Sequence, residues 1–111
     1  MRRAFLVVLF LLCTTRASAA PQLTLTWMDT STNEDSFRVE RRTDPGGSFF
    51  EIGQTGVNIV TYVDLALILD QRYCYRVRAA NRAGFSGYSN EACDTYPSLP
   101  LAPSGLTVTA P

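Results

Sequence analysis

Between residues 23 and 95 the sequence consists of short runs of alternating apolar and polar residues, and this pattern limits the fold more than any other feature. In the run Leu23 to Trp27 every second residue is apolar, which is typical of a half-buried β-strand. Phe37 to Arg41 alternates in the same way after a polar turn at 29–35. No stretch shows helical spacing with caps. Further strands are predicted at 49–52, 59–63, 73–79 and 88–93, so we expect one small all-β, antiparallel sandwich.

The first 19 residues have the three parts of a secretory signal peptide. Arg2 and Arg3 precede an apolar stretch, Ala4 to Cys13, and the small residues Ala17-Ser18-Ala19 mark a cleavage site. The apolar stretch is about half as long as the ~20 residues that a membrane-spanning helix needs. Cys13 lacks the small neighbours of a lipidation site. We therefore expect cleavage after Ala19 and a secreted or periplasmic, extracellular location.

The charged residues exclude several classes of function. All 10 basic residues are Arg, so the chain has no His and no Lys for an imidazole base, a Schiff base or a His-ligated metal. Cleavage after residue 19 leaves seven Arg against ten Asp and Glu, a net charge of −3. Nucleic acids and anionic membranes are bound mainly by clustered positive charge. We therefore expect no nucleic-acid partner and, after cleavage, no membrane partner.

Only carboxylate chemistry remains for catalysis. Asp29, Glu34, Asp35 and Asp44 fall in predicted loops, where two carboxylates could act as the acid and base of a glycosidase. That reaction needs a cleft for a sugar, which a small sandwich filled by its own side chains rarely has. The 29–35 loop also matches no calcium-loop spacing. We expect turn-forming roles for these acids, no enzymatic activity, no metal and no cofactor.

Two cysteines, Cys74 and Cys93, remain after cleavage in an oxidising compartment, where paired thiols normally form a disulfide. If the last two strands form a hairpin that turns near Ala83-Gly84, the two cysteines lie directly opposite each other on its outward face. The alternative is a reactive redox pair, which usually has Cys-X-X-Cys spacing. A structural disulfide is the prediction.

The strand motifs together resemble the fibronectin type III family. The resemblance covers residues 23 to 95 and implies an immunoglobulin-like β-sandwich. Leu67, six residues before Tyr73, resembles the family's tyrosine corner, in which the phenol bonds back to the backbone. Trp27 takes the place of the family's core tryptophan. The matching segments are Leu25-Thr-Trp27, Phe37 to Arg41, Thr61 to Asp64, Tyr73 to Ala79, Asn81, Ala83-Gly84, Ser86 and Tyr88-Ser-Asn90.

Residues around the last predicted turn are candidates for a contact surface. Phe85 follows Gly84 in that loop, and Arg82 and Tyr88 flank it. An exposed aromatic residue there could contact a protein or a carbohydrate, and the alternative is partial burial against the loop. The loop lacks the Arg-Gly-Asp triplet by which some family members bind integrins.

A separate set of charged side chains is expected on one outward face of the sheet, where opposite charges can pair across strands. We expect this face to be solvated. Its members are Arg38, Glu40, Arg76 and Arg78.

The two ends of the predicted module depart from the family pattern. We divide the mature chain into a sandwich at 20–95 and a Pro-rich linker with a strand-like tail at 96–111. The family's first strand is not found before Leu23, whereas Pro103 to Pro111 resembles that strand. The chain could be a fragment of a longer array, the tail could fold back, or Leu106 to Thr109 could pair with another copy. We expect weak head-to-tail self-association.

Together these features predict an exported, non-catalytic module that acts as a spacer or as a contact surface for protein or carbohydrate. The alternative is a fragment or accessory domain of a larger secreted enzyme that acts on polysaccharides. The resemblance supports both, because such modules occur in adhesive arrays and as appendages of such enzymes.

Overall fold

The computed structural model describes residues 20–111, and the predicted signal peptide with Cys13 lies outside the described residues. The described residues form seven strands. Within this range there is no helix that could cross a membrane. The strands are β1 (Leu23–Thr26), β2 (Ser36–Asp44), β3 (Phe50–Thr55), β4 (Thr61–Asp64), β5 (Arg72–Asn81), β6 (Gly84–Phe85) and β7 (Ala92–Thr95).

Two antiparallel sheets form an all-β sandwich, as predicted. β1 pairs with β4 in a two-stranded sheet, and the five-stranded sheet has the order β3, β2, β5, with β6 and β7 both on the free edge of β5. The alternating runs produce the core because one side of each strand faces the opposite sheet. Phe37, Val39 and Val77 are buried at its centre, and the Trp27 ring packs edge-on against Phe37 at 5.5 Å.

The predicted tyrosine corner is present in the loop that connects the two sheets. The Ile68 N–H donates a 3.0 Å hydrogen bond to the Tyr73 hydroxyl, and Leu67 beside it is half-buried. A second tyrosine, Tyr62, donates a 3.1 Å hydrogen bond to the carbonyl of Ile52. Both rings therefore fill the interior while their hydroxyls bond to backbone.

The last hairpin differs from the single strand predicted at residues 88–93. Ala80 pairs with Phe85 and Tyr75 pairs with Ala92, so the returning chain has two residues more than β5 between these pairs. Ser86 and Ser89 fill the gap, because each donates its N–H to a β5 carbonyl and accepts a β5 N–H with its own hydroxyl. The serine hydroxyls replace two backbone carbonyls as acceptors, so the N–H groups of Val77 and Ala79 stay hydrogen-bonded although the ladder is interrupted between β6 and β7.

Glu34 and Asp44, two of the carboxylates that fall in predicted loops, lie at opposite ends of the sandwich. Glu34 is buried before β2, where its oxygens accept hydrogen bonds from the Ser31 hydroxyl at 2.5 Å and the Asn58 N–H at 3.0 Å. Asp44 ends β2, about 30 Å away along an extended strand. Glu34 holds its loop through these bonds, whereas Asp44 is the last residue of a strand and not a loop residue.

Residues 96–111 form no strand. The chain leaves β7 and is held at Asp70, whose N–H donates to the Tyr96 carbonyl and whose carboxylate accepts the Ser98 N–H, both at 2.9 Å. Beyond this point the tail extends into solvent, and Leu106 and Val108 are 96% and 94% exposed. Of the three arrangements considered from the sequence, folding back onto the same sheet does not occur here.

Candidate functional site

The outer face of the five-stranded sheet carries a row of arginine and aromatic side chains. Strand alternation places two arginines of β2 and two of β5 on this face, and one pair, Arg38 and Arg78, lies directly opposite across the strands. Three aromatic rings from neighbouring loops and β6 lie between them. We call this row the arginine–aromatic ladder, and its members in order are Arg38, Phe85, Arg78, Tyr88, Arg76, Phe49 and Arg42.

The upper half of the ladder is built on the two aromatic residues predicted as contacts. The Arg78 guanidinium carbon lies 3.8 Å from the ring centre of Phe85, and Arg38 lies 5.6 Å from the same ring. Arg78 also lies 4.7 Å from the ring centre of Tyr88. Phe85 therefore separates Arg38 from Arg78, which are directly opposite each other in the β2–β5 register. Cation–π attraction offsets the repulsion between these like charges.

The lower half of the ladder continues through Phe49, which lies in the turn between β2 and β3. Arg76 lies 3.6 Å from the ring centre of Tyr88 and 4.0 Å from that of Phe49. Arg42 lies on Phe49 at 5.4 Å and forms an ion pair with Glu91 at 3.2 Å. The ladder thus joins the β2–β3 turn to the segment between β6 and β7.

Glu40 lies at the centre of this face, and the expectation that it is solvated is wrong, because only 7% of it is exposed. Its carboxylate accepts hydrogen bonds from Arg76 Nε at 2.8 Å and from the Tyr88 hydroxyl at 3.0 Å, and Arg78 lies at 3.7 Å. Burial raises the pKa of Glu40, but the bonds from Arg76 and Tyr88 outweigh it and hold the pKa below its ordinary value. The charged carboxylate fixes two arginines and one ring.

The predicted disulfide is confirmed at the end of the ladder. Cys74 and Cys93 are directly opposite in the β5–β7 register, with Cα atoms 4.0 Å apart and an S–S bond of 2.04 Å. Both lie on the predicted face, but Cys74 is fully buried. The Glu91 carboxylate is within 4.8 Å of both sulfurs, although a disulfide provides no thiolate for a metal.

The ladder determines which contacts this face can make. Phe85 and Tyr88 are 53% and 39% exposed, and Arg82 is exposed in the turn, where it forms no ion pair with any residue from 20 to 111. A sugar binds an aromatic side chain by stacking on the face of its ring. Here the guanidinium groups already lie over Phe85 and Tyr88. A sugar on this face would have to share these rings with the guanidinium groups.

The other residues predicted as structural lie away from this face. Trp27, Leu67 and Tyr73 are in the interior and in the corner loop.

The sequence analysis missed Arg42 and the anchoring role of Glu40. The available signal was the pair of alternating arginine runs on β2 and β5, which places four guanidinium groups on one side of the sheet.

No family model and no curated protein sequence matches the chain. Similar solved structures include a Fn3-like protein from Clostridium thermocellum, with 28% identity and a TM-score of 0.58 over 77% of this chain and 86% of that chain. A structure described as a myokine has 20% identity and a TM-score of 0.58 over 77% of this chain and 92% of that one.

The twitchin kinase region from C. elegans has 20% identity and a TM-score of 0.62 over 71% of this chain. The match spans only 14% of the twitchin chain. The similarity to these structures agrees with the strand order, the tyrosine corner and the core tryptophan of this chain. The described chain is therefore a fibronectin type III-like domain.

Proposed function

We propose that this protein is a secreted, non-catalytic module that binds another protein through the arginine–aromatic ladder. The observation that carries the proposal is the ladder itself, in which four arginines pack on partly exposed rings and one buried carboxylate, Glu40, holds Arg76, Arg78 and Tyr88. Tyr, Trp and Arg dominate the energetics of protein interfaces. Side chains that are already held in place lose little conformational entropy on binding.

Arg82 and Phe85 form the accessible end of this surface. Arg82 lies in the two-residue turn between β5 and β6, and Phe85 pairs through its backbone with Ala80. Both therefore sit on a short, hydrogen-bonded hairpin tip. A partner with acidic and apolar groups complements this tip, because Arg82 supplies an unpaired positive charge and Phe85 supplies apolar area.

Secretion follows from the signal peptide predicted at residues 1–19 and is supported by the Cys74–Cys93 disulfide, which is typical of oxidising compartments. The role of an accessory domain in a larger polysaccharide-acting enzyme stays a prediction. The guanidinium-covered rings favour protein over carbohydrate on the ladder face.

The proposal is tested by labelling the exported chain and measuring its binding to cells of the producing organism, to protease-treated cells, to cellulose and to chitin. We expect saturable binding to untreated cells that protease treatment abolishes. Phe85→Ala and Arg82→Ala are expected to weaken binding at least tenfold, since hot-spot truncations cost about 1.4 kcal/mol or more. The control is Val63→Ala, because Val63 is 41% exposed on the other sheet.

Two outcomes would contradict the proposal. Binding to cellulose or chitin that Phe85→Ala abolishes would identify a carbohydrate surface. Absence of binding to all four probes would indicate that the module acts as a spacer and not as a binding domain. Thermal unfolding of each variant is measured in parallel, so that loss of binding is compared only between folded proteins.

A further inference from the structure

One edge of β1 pairs with no strand among residues 20–111, because β1 is joined only to β4. The Trp27 N–H donates to Val60 at 3.1 Å and the Leu25 carbonyl accepts the Thr61 hydroxyl at 3.1 Å, so these residues direct their backbone groups toward β4. Alternation then directs the backbone groups of Thr24 and Thr26 toward the open edge. β1 can accept one more strand.

A groove of about 600 Å³ runs beside this edge, between β1 and the five-stranded sheet. Apolar side chains contribute to both walls, with Leu23 and Leu25 of β1 and the following Trp27 on one side and Val77 and Ala92 opposite. Leu23, Leu25 and Trp27 are half-buried, although they point toward the core. The groove therefore has the place and the chemistry for alternate apolar side chains of an added strand.

The tail of this same chain has the matching pattern. Leu106 and Val108 alternate with Thr107 and Thr109, and both apolar residues are almost completely exposed. No residue from 96 to 111 is charged, so an added strand would carry no charge into the groove. Apolar side chains on two alternate residues fit one face of a strand, and threonine suits the solvent face.

The direction in which the tail leaves the sandwich favours its binding to a second copy over its binding to the same molecule. Leu23 pairs with Asp64, and Thr95 pairs with Arg72, so β1 begins and β7 ends at the same end of the sandwich. An antiparallel partner of β1 must enter at the other end, beside Trp27. The tail of one molecule leaves at the first end and can continue directly into the second end of a neighbour.

The linker makes reversal within one molecule difficult. Pro97, Pro100 and Pro103 recur at every third position, a spacing that favours an extended polyproline II chain. The Ser98 N–H is also held by Asp70, which fixes the start of the linker at the end where it leaves β7. An extended, stiff linker directs Leu106 away from its own groove.

We propose that Leu106–Thr109 of one molecule adds as an antiparallel strand to the open edge of β1 in a second copy, with Leu106 and Val108 in the groove. This interface is heterologous and leaves one free groove and one free tail at the ends of each assembly. It therefore builds open head-to-tail chains. The proposal is independent of the protein partner proposed for the ladder.

The first test is sedimentation of the exported chain over a wide range of concentration. The weight-average mass of the wild type should rise continuously with concentration and pass the dimer. Val108→Asp should weaken association at least tenfold, because it places a charge in the apolar groove. Thr107→Asp is the matched control, since the same charge on the neighbouring residue faces solvent and should leave association within about twofold of wild type.

The second test uses Trp27, the single tryptophan of the chain, as a reporter in the groove. The Val108→Asp protein cannot donate its tail but keeps an empty groove. A synthetic peptide of residues 103–110 should bind it with a saturable shift of tryptophan emission to shorter wavelength. The same peptide with Val108→Asp should bind at least tenfold more weakly.

Four results would overturn the proposal. The first is a wild type that stays monomeric at all concentrations. The second is association that Val108→Asp leaves unchanged. The third is a monomeric wild type whose tryptophan emission already differs from that of Val108→Asp, which would show that the tail occupies its own groove. The fourth is a mass that stops rising at the dimer, which would show that two molecules exchange their tails reciprocally and do not form an open chain.

Discussion

The Tyr75 hydroxyl lies 2.7 Å from Asp64 Oδ2, and this hydrogen bond joins β5 of one sheet to the last residue of β4 in the other. Arg41 of β2 donates to the same oxygen at 2.9 Å, and the Ala66 N–H donates to the other oxygen at 3.0 Å. Burial, together with the bond to Asp64, raises the pKa of Tyr75, so its hydroxyl stays a donor. The buried carboxylate is thus held by groups from both sheets.

Removal of this carboxylate should be among the most destabilising single changes in the module. Asp64→Ala leaves the guanidinium of Arg41, which is 14% exposed, without its partner. Breaking a buried ion pair typically lowers the free energy of unfolding by about 3–5 kcal/mol. Urea unfolding measures the loss. Asp35→Ala, at an exposed acid before β2, is the control and should change stability by less than about 0.5 kcal/mol. Equal effects of the two changes would contradict the bridging role.

The stability of the module should fall in acid because of two buried carboxylates. Burial raises the pKa of Asp64, but the bonds from Tyr75 and Arg41 outweigh it, so its folded pKa is below the ordinary 3.8. The folded pKa of Glu40 is likewise below 4.5. A lowered folded pKa gives stability above the unfolded pKa that is lost as pH falls through the folded pKa.

We therefore expect the free energy of unfolding to decrease between about pH 5 and pH 2. Glu40→Gln should flatten part of this slope, since the variant has one carboxylate fewer to protonate. Unfolding titrations of both proteins at several pH values measure the slopes. Identical slopes would show that Glu40 titrates alike in the folded and unfolded chains.

Tyr73→Phe tests the corner. The change keeps the ring but removes the acceptor of the Ile68 N–H, so the free energy of unfolding should fall by about 1 kcal/mol. Tyr96→Phe is the matched control, because the Tyr96 hydroxyl makes no hydrogen bond with residues 20–111. Thermal unfolding compares the two variants. A midpoint of Tyr73→Phe equal to that of the control would mean that the bond adds nothing.

The disulfide should stabilise the module by closing a loop across the last hairpin. The bonded cysteines are 19 residues apart, and a loop of that size contributes about 3 kcal/mol in the chain-entropy account. Replacing both cysteines by alanine should lower the melting midpoint accordingly. The intact exported protein should be two hydrogens lighter under non-reducing mass analysis than after reduction. Equal masses would show free thiols.

The sheets and the disulfide could be predicted because they follow from local patterns. Alternation in β1 and β2 depends on neighbouring residues only, and the hairpin turn sets which residues oppose Cys74. The third strand was predicted to begin at residue 49 and begins at Phe50 in the structure. Such an error of one residue at a strand end does not change which side chains share a face of the sheet. The core was predictable for the same reason, whereas the corner was predicted from the resemblance of Leu67 and Tyr73 to the fibronectin type III pattern.

The burial of Glu40 could not be predicted, because its partners come from distant parts of the chain. Arg76 is 36 residues away and Tyr88 is 48 residues away, and Tyr88 reaches the carboxylate only because the hairpin carries two additional residues. That insertion depends on Ser86 and Ser89 replacing ladder bonds with their hydroxyls. Serine in such a position is otherwise read as a turn residue.

The position of the disulfide also decides how the module responds to mechanical load applied through its tail. Only the pairs of Asp94 and Thr95 lie between Cys93 and the linker. A pull on the linker can therefore peel two residues of β7 from β5 before the force passes through the covalent bond into Cys74. From there the load reaches a strand that is bonded along its full length to β2. The bond would stop unzipping at its first step, and further extension would require shearing of the central strands.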